Sequence, residues 1–388
     1  MIIQSLLDTD LYKFTMMQAV LHNFPDAEVE YTFKNRTKNV NLLPFKEEIQ
    51  RQIKFYCTLI FHEHELNFMS NIRFFKKDFI QFLKIFQPDE KYVNVYEEDG
   101  DLAIKVSGPW LHTILFEVPI LAIVNEVYNN SIPKTSLHKN NIIEITKQKF
   151  DFMQENKIMI SEFGTRRRES FETQKTVIDT LLGKYGNIYL LGTSNVYFAK
   201  EFGLTPIGTM AHEWLQAGQA LGVRVIDSQK FMLETWVKEY RGDLGIALTD
   251  VIGVDAFIRD FDLYFAKLYD GVRHDSGDPF IFGDKIIRHY KNLKIDPKTK
   301  TIIFSDGLDM KLANDLNNYF NGITKVSFGI GTNLTNDKAF GGFPLQTVMK
   351  LTKVNGSPVA KISDSKGKSM CPDIEYENYV KKVFGVSK

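Results

Sequence analysis

Thr205-Pro206-Ile207-Gly208-Thr209-Met210-Ala211-His212-Glu213 reads as a strand that stops at Gly208-Thr209 and turns at once into a helix starting near Ala211. Downstream, Trp214, Leu215, Ala217, Ala220 and Leu221 recur at helical spacings, which marks a packed face. His212 then falls in the first helical turn, where unpaired backbone N–H groups and the helix dipole favour a negative group. A neutral imidazole in that place suits a phosphate neighbour or phosphorylation of the ring itself. A histidine at such a corner serves equally to satisfy a backbone carbonyl, so the rest of the chain has to decide between the two.

After about Asn140 one pattern recurs. Short apolar runs at 159–164, 188–194, 205–209, 246–250, 271–278, 302–307 and 326–332 each end in small or polar residues, with helical stretches such as 170–182 and 311–320 between most of them. Seven strand-then-helix units predict an α/β fold, a parallel (β/α) barrel whose active site gathers at the C-terminal strand ends. A doubly wound open sheet is the alternative, but it usually carries its phosphate loop after the first strand.

The first 130 or so residues are organised differently. Asp8, Thr9 or Asp10 can cap a helix with Leu11, Phe14, Met17, Val20, Leu21 and Phe24 on its apolar positions. Residues 28–34 alternate as a half-buried strand, 45–86 are helical and amphipathic, and 93–96 and 102–106 are further strands around a turn at 98–101. A long helix is expected from about Val118 to Asn130, followed by a boundary at Ser131-Ile132-Pro133. These signals predict an α+β N-terminal domain over 1–130 and a barrel over 131–344. The His62-Glu63-His64-Glu65 cluster is not expected to hold metal, because helical zinc pairs need i,i+4 spacing.

Composition narrows the functional classes. The chain has 388 residues, 44% of them hydrophobic and 25% charged, enough for a large core. Lys+Arg and Asp+Glu both number 48, so no net field recruits nucleic acid or an anionic membrane. The longest apolar stretch, 110–124, is interrupted by His112, Thr113, Glu117 and Pro119 and reads as too short and polar to span a bilayer. Two cysteines without a CxxC pair, and no basic leader before an apolar run, lead us to expect a cytoplasmic protein.

Gathering the strand ends on one rim brings together Phe163, Arg166, Thr209, His212, Asp250, Arg273, Asp275, Asp306 and Gly331-Thr332. An arginine just after a strand-end glycine is placed for bidentate phosphate contact, although Arg166-Arg167-Arg168 also reads as a solvated charge run. Phe328-Gly329-Ile330-Gly331-Thr332 after a late strand suits a barrel phosphate site, since its glycines let backbone N–H groups approach. Asp275 and Asp306, flanked by Ser and Gly, fit ribose hydroxyls or a hydrated Mg²⁺, or are simply turn aspartates.

Six segments, in order, resemble the nicotinate phosphoribosyltransferase family: Asp10-Leu11-Tyr12-Lys13, Glu162-Phe163-Gly164-Thr165-Arg166-Arg167, Gly192-Thr193-Ser194-Asn195, Gly208-Thr209-Met210-Ala211-His212-Glu213, Gly271-Val272-Arg273-His274-Asp275-Ser276-Gly277-Asp278 and Phe328-Gly329-Ile330-Gly331-Thr332. The resemblance implies a type II phosphoribosyltransferase fold, an α+β N-terminal domain beside an irregular (β/α) barrel, in which C-terminal residues, about 345–388, return to the first domain. It implies conversion of nicotinate and phosphoribosyl pyrophosphate to nicotinate mononucleotide and pyrophosphate, coupled to ATP hydrolysis, for NAD synthesis. It also implies Mg²⁺, with no side chain as its direct ligand.

Carried over residue by residue, His212 is the transient phosphohistidine and Asp250 orients its ring. Phe163 and Tyr12 sandwich the pyridine, with Tyr12 in one arrangement coming from a neighbouring subunit of a homodimer. Thr209 and Arg273 contact nicotinate, Arg166 binds phosphate and Asp275 the ribose. Gly331-Thr332 with Ser305-Asp306-Gly307 take the 5′-phosphate. A relative acting on nicotinamide has an aspartate where this chain has Ser194; such an acid would repel nicotinate, so Ser194 points to nicotinate. Nicotinamide phosphoribosyltransferase activity and a non-catalytic sugar-phosphate-binding barrel are the alternatives.

Overall fold

The computed structural model describes residues 1–134, 136–183, 186, 188–364 and 369–386. Strand β1 (Glu28–Asn35) buries alternate residues, Val29, Tyr31 and Phe33, as expected of a sheet with one face on a core. It lies at the centre of an antiparallel sheet, flanked by β3 (Asp101–Pro109) and by β11 (Thr347–Val354) from the far end of the chain; β2 (Val93–Glu98) and β12 (Ser357–Pro358) form the edges. Val29 faces Val354 in this register, so the N-terminal sheet incorporates residues more than three hundred positions downstream. Within the implied 345–388 return, 365–368 and 387–388 lie outside the described residues.

The second sheet is parallel, in the order β5-β4-β10-β9-β8-β7. Its strands are β4 (Ile160–Glu162), β5 (Leu190–Thr193), β7 (Ile246–Leu248), β8 (Gly271–His274), β9 (Thr301–Phe304) and β10 (Lys325–Ile330); β6 (Arg241–Leu244) precedes β7 in the chain and stands outside this order. Six of the seven predicted runs are therefore regular strands. The seventh, 205–209, is not: it forms one isolated bridge, Pro206 to Thr193, with Ile207 N–H donating to Thr193 O at 2.8 Å. At its other end the Thr209 hydroxyl donates to Ile246 O at 2.9 Å, on edge strand β7. This segment joins the two edges of the parallel sheet through one backbone bridge at Thr193, made of two bonds, and one side-chain bond at Ile246 rather than through ladders, and Pro206 has no N–H to extend the pairing. That seam is what makes the barrel irregular.

The helix after the seam runs only from His212 to Ala217 and tightens into a 3₁₀ turn over Gly218–Ala220, short of the expected Leu221. In the first domain, residues 45–86 fold as three helices, Lys46–Tyr56, Glu63–Ser70 and Lys77–Ile85. The His-Glu-His-Glu cluster is a helix start, with Glu65 accepting from His62 N–H at 2.8 Å.

One expectation needs correcting. Trp110–Asn130 is helical almost without interruption over 21 residues and is, by length and composition, apolar enough to cross a bilayer. Pro119 falls in the first turn of its main segment, where a missing N–H costs nothing, so the run is not broken there. In this fold 94% of the apolar window is buried inside the protein, which makes the run a core helix.

Candidate active site

His212 is the first residue of its helix, and its ring is almost wholly buried. Nε2 donates to Asp250 Oδ1 at 2.8 Å, from the loop just after β7. The other Asp250 oxygen accepts from the Ser276 hydroxyl at 2.6 Å and from Lys361 Nζ at 2.9 Å. Burial lowers the basicity of the ring to about 4, and Lys361 and Lys350 add to that against the pull of Asp250. Burial works against charge on Asp250, yet His212, Lys361 and Ser276 outweigh it and hold the carboxyl well below its usual range. A neutral imidazole beside an ionised carboxylate follows. With Nε2 carrying the proton, Nδ1 keeps its lone pair.

Glu213, the next residue, ties this helix to the first domain. It accepts from the Trp110 indole at 2.6 Å, from the Tyr31 hydroxyl and from Lys13, whose ammonium also meets Glu117 at 2.6 Å. Every member of this buried network has partners, so the helix start is held rigidly.

The three arginines divide their roles. Arg168 is fully buried and forms a bidentate pair with Asp8 at 2.7 and 2.8 Å. Arg167 donates to Thr347 O of β11 at 3.0 Å. Only Arg166 turns into the cleft that His212 lines, together with Tyr12, Glu117, Arg273 and Lys350. Its carboxylate partners, Asp10 and Glu117, stand off at 3.8 and 3.9 Å, and its side chain is 38% exposed, which leaves it available to an anion. Tyr12 reaches the cleft from its own chain, with its ring centroid 6.0 Å from the Arg166 guanidinium carbon; a neighbouring subunit is not needed to supply it. Among the described residues, Arg273 Nε is buried without a hydrogen-bond partner.

Other predicted residues have prior engagements. Ser194 donates its hydroxyl to Asp10 at 2.7 Å, so a carboxylate does sit beside this position even though the chain lacks an aspartate at 194. Thr209 spends its proton on the seam. Asp275 accepts from Ser305 at 2.9 Å and stands 3.5 Å from Arg273 and 3.6 Å from His212. Burial opposes its charge, but the neighbouring Arg273 guanidinium prevails and holds the carboxyl below its usual range. Asp306 and Gly307 form the turn after β9, and Gly331 precedes the short helix Thr332–Thr335.

Phe163 follows β4 with its ring against Gly329, where an added Cβ would come within 2.3 Å of ring carbons. Gly329→Ala is therefore expected to displace the ring and to raise the KM for the ring substrate about tenfold, the usual worth of one misplaced methyl; steady-state kinetics at saturating co-substrate checks it.

His212, Asp250 and Asp275 bring ligand atoms within 4.8 Å of one another. The set does not suit a resident Mg²⁺, which takes oxygen ligands and keeps several waters. Both Asp250 oxygens are occupied, and Arg273 already balances Asp275.

Sequence reasoning missed Asp10, Lys13, Glu117, Lys350 and Lys361, and assigned no role to Ser276 or Glu213. The last two adjoin residues it did select. Lys361 carries no local signal, since its meaning depends on which carboxylate the fold sets beside it.

A sequence profile described as the Nicotinate phosphoribosyltransferase (NAPRTase) family matches residues 158–388, and one described as the N-terminal domain of that family matches 7–125. The nicotinate phosphoribosyltransferase of Ralstonia pickettii is 53% identical, with 100% of each chain covered. Among solved structures, the nicotinate phosphoribosyltransferase of Vibrio cholerae superposes with a TM-score of 0.93 at 40% identity, over 100% of this chain and 94% of that one. The Porphyromonas gingivalis enzyme gives 0.94 at 37% identity, over 99% and 100%. Matched in both its parts by the family profiles, and along its whole length by these relatives, the chain belongs to the nicotinate phosphoribosyltransferase family.

Proposed function

We propose that this protein transfers the phosphoribosyl group of phosphoribosyl pyrophosphate to the ring nitrogen of nicotinate, giving nicotinate mononucleotide and pyrophosphate, and that ATP drives the reaction through a phosphoryl group carried on His212. The observation that carries the ATP-linked part is the buried, neutral imidazole held through Nε2 by Asp250 at 2.8 Å. The Nδ1 lone pair attacks the γ-phosphorus, ADP departs with the electrons of the broken P–O bond, and the Nε2 proton stays against Asp250. Water later cleaves the N–P bond to release phosphate.

In the glycosyl step the pyridine nitrogen supplies an electron pair to ribose C1 while the C1–O bond to pyrophosphate breaks. No base is needed, so orientation and charge do the work. Arg166, Arg273 and Lys350 face the departing negative charge, and Asp275 stands where positive charge grows on the ribose. Mg²⁺ is expected to arrive bound to the diphosphate, whose charge it neutralises.

Lys350 lines the cleft with no carboxylate within ion-pair reach among the described residues, and burial lowers its ammonium to about 8 despite Glu117. It loses its proton as pH rises through that value, so the KM for phosphoribosyl pyrophosphate should climb above pH 8 and Lys350→Met should flatten that rise. An initial-rate series in pH reads both.

The test of the whole reading is turnover of nicotinate and of nicotinamide with phosphoribosyl pyrophosphate and Mg²⁺, with and without ATP. Faster turnover of nicotinamide would overturn the substrate assignment, and no turnover of either would return the non-catalytic sugar-phosphate-binding barrel.

A further inference from the structure

We propose that Lys361 is a positioning residue for His212: by pairing with Asp250 it absorbs the charge of that carboxylate, so that the imidazole stays neutral and keeps the lone pair that accepts phosphate. The inference rests on the reading of His212 given above.

Lys361 is itself buried, and its ammonium meets Asp250 Oδ2 at 2.9 Å, on the opposite oxygen from the one His212 uses. The segment that carries it is anchored on three sides. Gln219, just past the His212 helix, exchanges two hydrogen bonds with the Ala360 backbone at 2.7 and 2.9 Å. Ile362 N–H donates to Val251 O at 2.6 Å, and Lys361 and Met370 exchange backbone bonds at 2.9 Å. The ammonium is thus delivered to Asp250 by backbone geometry.

The need for it follows from elementary electrostatics. A buried carboxylate 2.8 Å from an imidazole, with nothing else to balance it, favours the imidazolium. A protonated ring carries hydrogen on both nitrogens and has no lone pair to attack phosphorus. The other charges near the ring are already matched: Asp275 faces Arg273, and Glu213 and Glu117 share Lys13. Arg166 and Lys350 add only positive charge to the cleft. Removing Lys361 leaves Asp250 as the unmatched anion, and the ring is the nearest group able to answer it with a proton. The sign is therefore definite: loss of this cation raises the basicity of His212.

The experiment is NMR of the full-length protein labelled at its eight histidines. The His212 signal is identified by its loss in His212→Gln and followed from about pH 5 to about pH 9, the range in which imidazoles titrate. The unmodified ring is expected to stay neutral throughout. In Lys361→Met its midpoint should rise into that range, by at least about one pH unit, while Lys361→Arg should behave as the unmodified protein. In step with that midpoint, ATP hydrolysis by Lys361→Met should fall about tenfold one pH unit below the new midpoint and recover above it, with the KM for nicotinate unmoved.

An unchanged midpoint in Lys361→Met overturns the proposal. Should that variant fail to fold, Lys361→Met/Asp250→Asn removes both charges together; a neutral ring there supports the proposal, and a raised midpoint counts against it. Acid-labile phosphate on the unmodified enzyme with ATP is scored separately. Its absence would remove the phosphohistidine reading while the NMR midpoint still judges what Lys361 does to the ring.

Discussion

His212→Ala is expected to abolish ATP-stimulated turnover, lowering the ATP-supported rate by about 10²–10⁴-fold, while any ATP-independent synthesis of the mononucleotide persists. Among the described residues that line the cleft, the ring alone is an imidazole with its own proton held on a fixed carboxylate, so none of those neighbours is expected to replace it. Acid-labile radiolabel from ATP should disappear from the protein in parallel. A variant that kept both its ATP stimulation and the label would show that the coupling runs through another residue. Asp250→Asn should act in the same direction with a smaller effect, because the ring loses its orientation but not its nucleophile.

The second large effect concerns stability. Arg168→Met should destabilise the protein by about 3–5 kcal/mol, since it leaves Asp8 buried and charged without its bidentate partner. Gln174 and Glu126, which also lean on the guanidinium, lose a partner at the same time. A denaturant midpoint read by fluorescence measures the loss. Arg166→Met, two positions away, should cost clearly less stability but raise the KM for phosphoribosyl pyrophosphate, because its own ion pairs are long and its guanidinium side chain is partly exposed to the cleft. Equal stability losses in the two variants would mean that the division of labour within the arginine triplet is wrong.

Much of the fold could be read along the chain because strand ends and helix starts announce themselves locally. Ser170, Asp278 and Asp309 cap their helices with side-chain oxygens on backbone N–H groups, and such caps are visible as residue types just before a periodic run. The rim was legible for the same reason: polar residues following short apolar runs mark the mouth of a barrel. Segment 205–209 misled in detail because alternation cannot reveal that a proline will withhold the ladder bond. The apolar run from Trp110 reads along the chain as too short and polar to span a bilayer; the helix is long and apolar enough, and what keeps it in the protein is burial in the core, which no local signal reports.

By itself the sequence determined where the chain bends, which faces are apolar and which residue types gather at the strand ends, because each of these follows from steric and hydrophobic preferences acting over a few neighbours. The tertiary structure alone decided what the polar groups do. Ser194 answers Asp10, Arg168 answers Asp8 and Lys361 answers Asp250, each across more than a hundred residues. The worth of a charge depends on the distance to its counter-charge and on the water left between them, and both are settled only when remote segments meet.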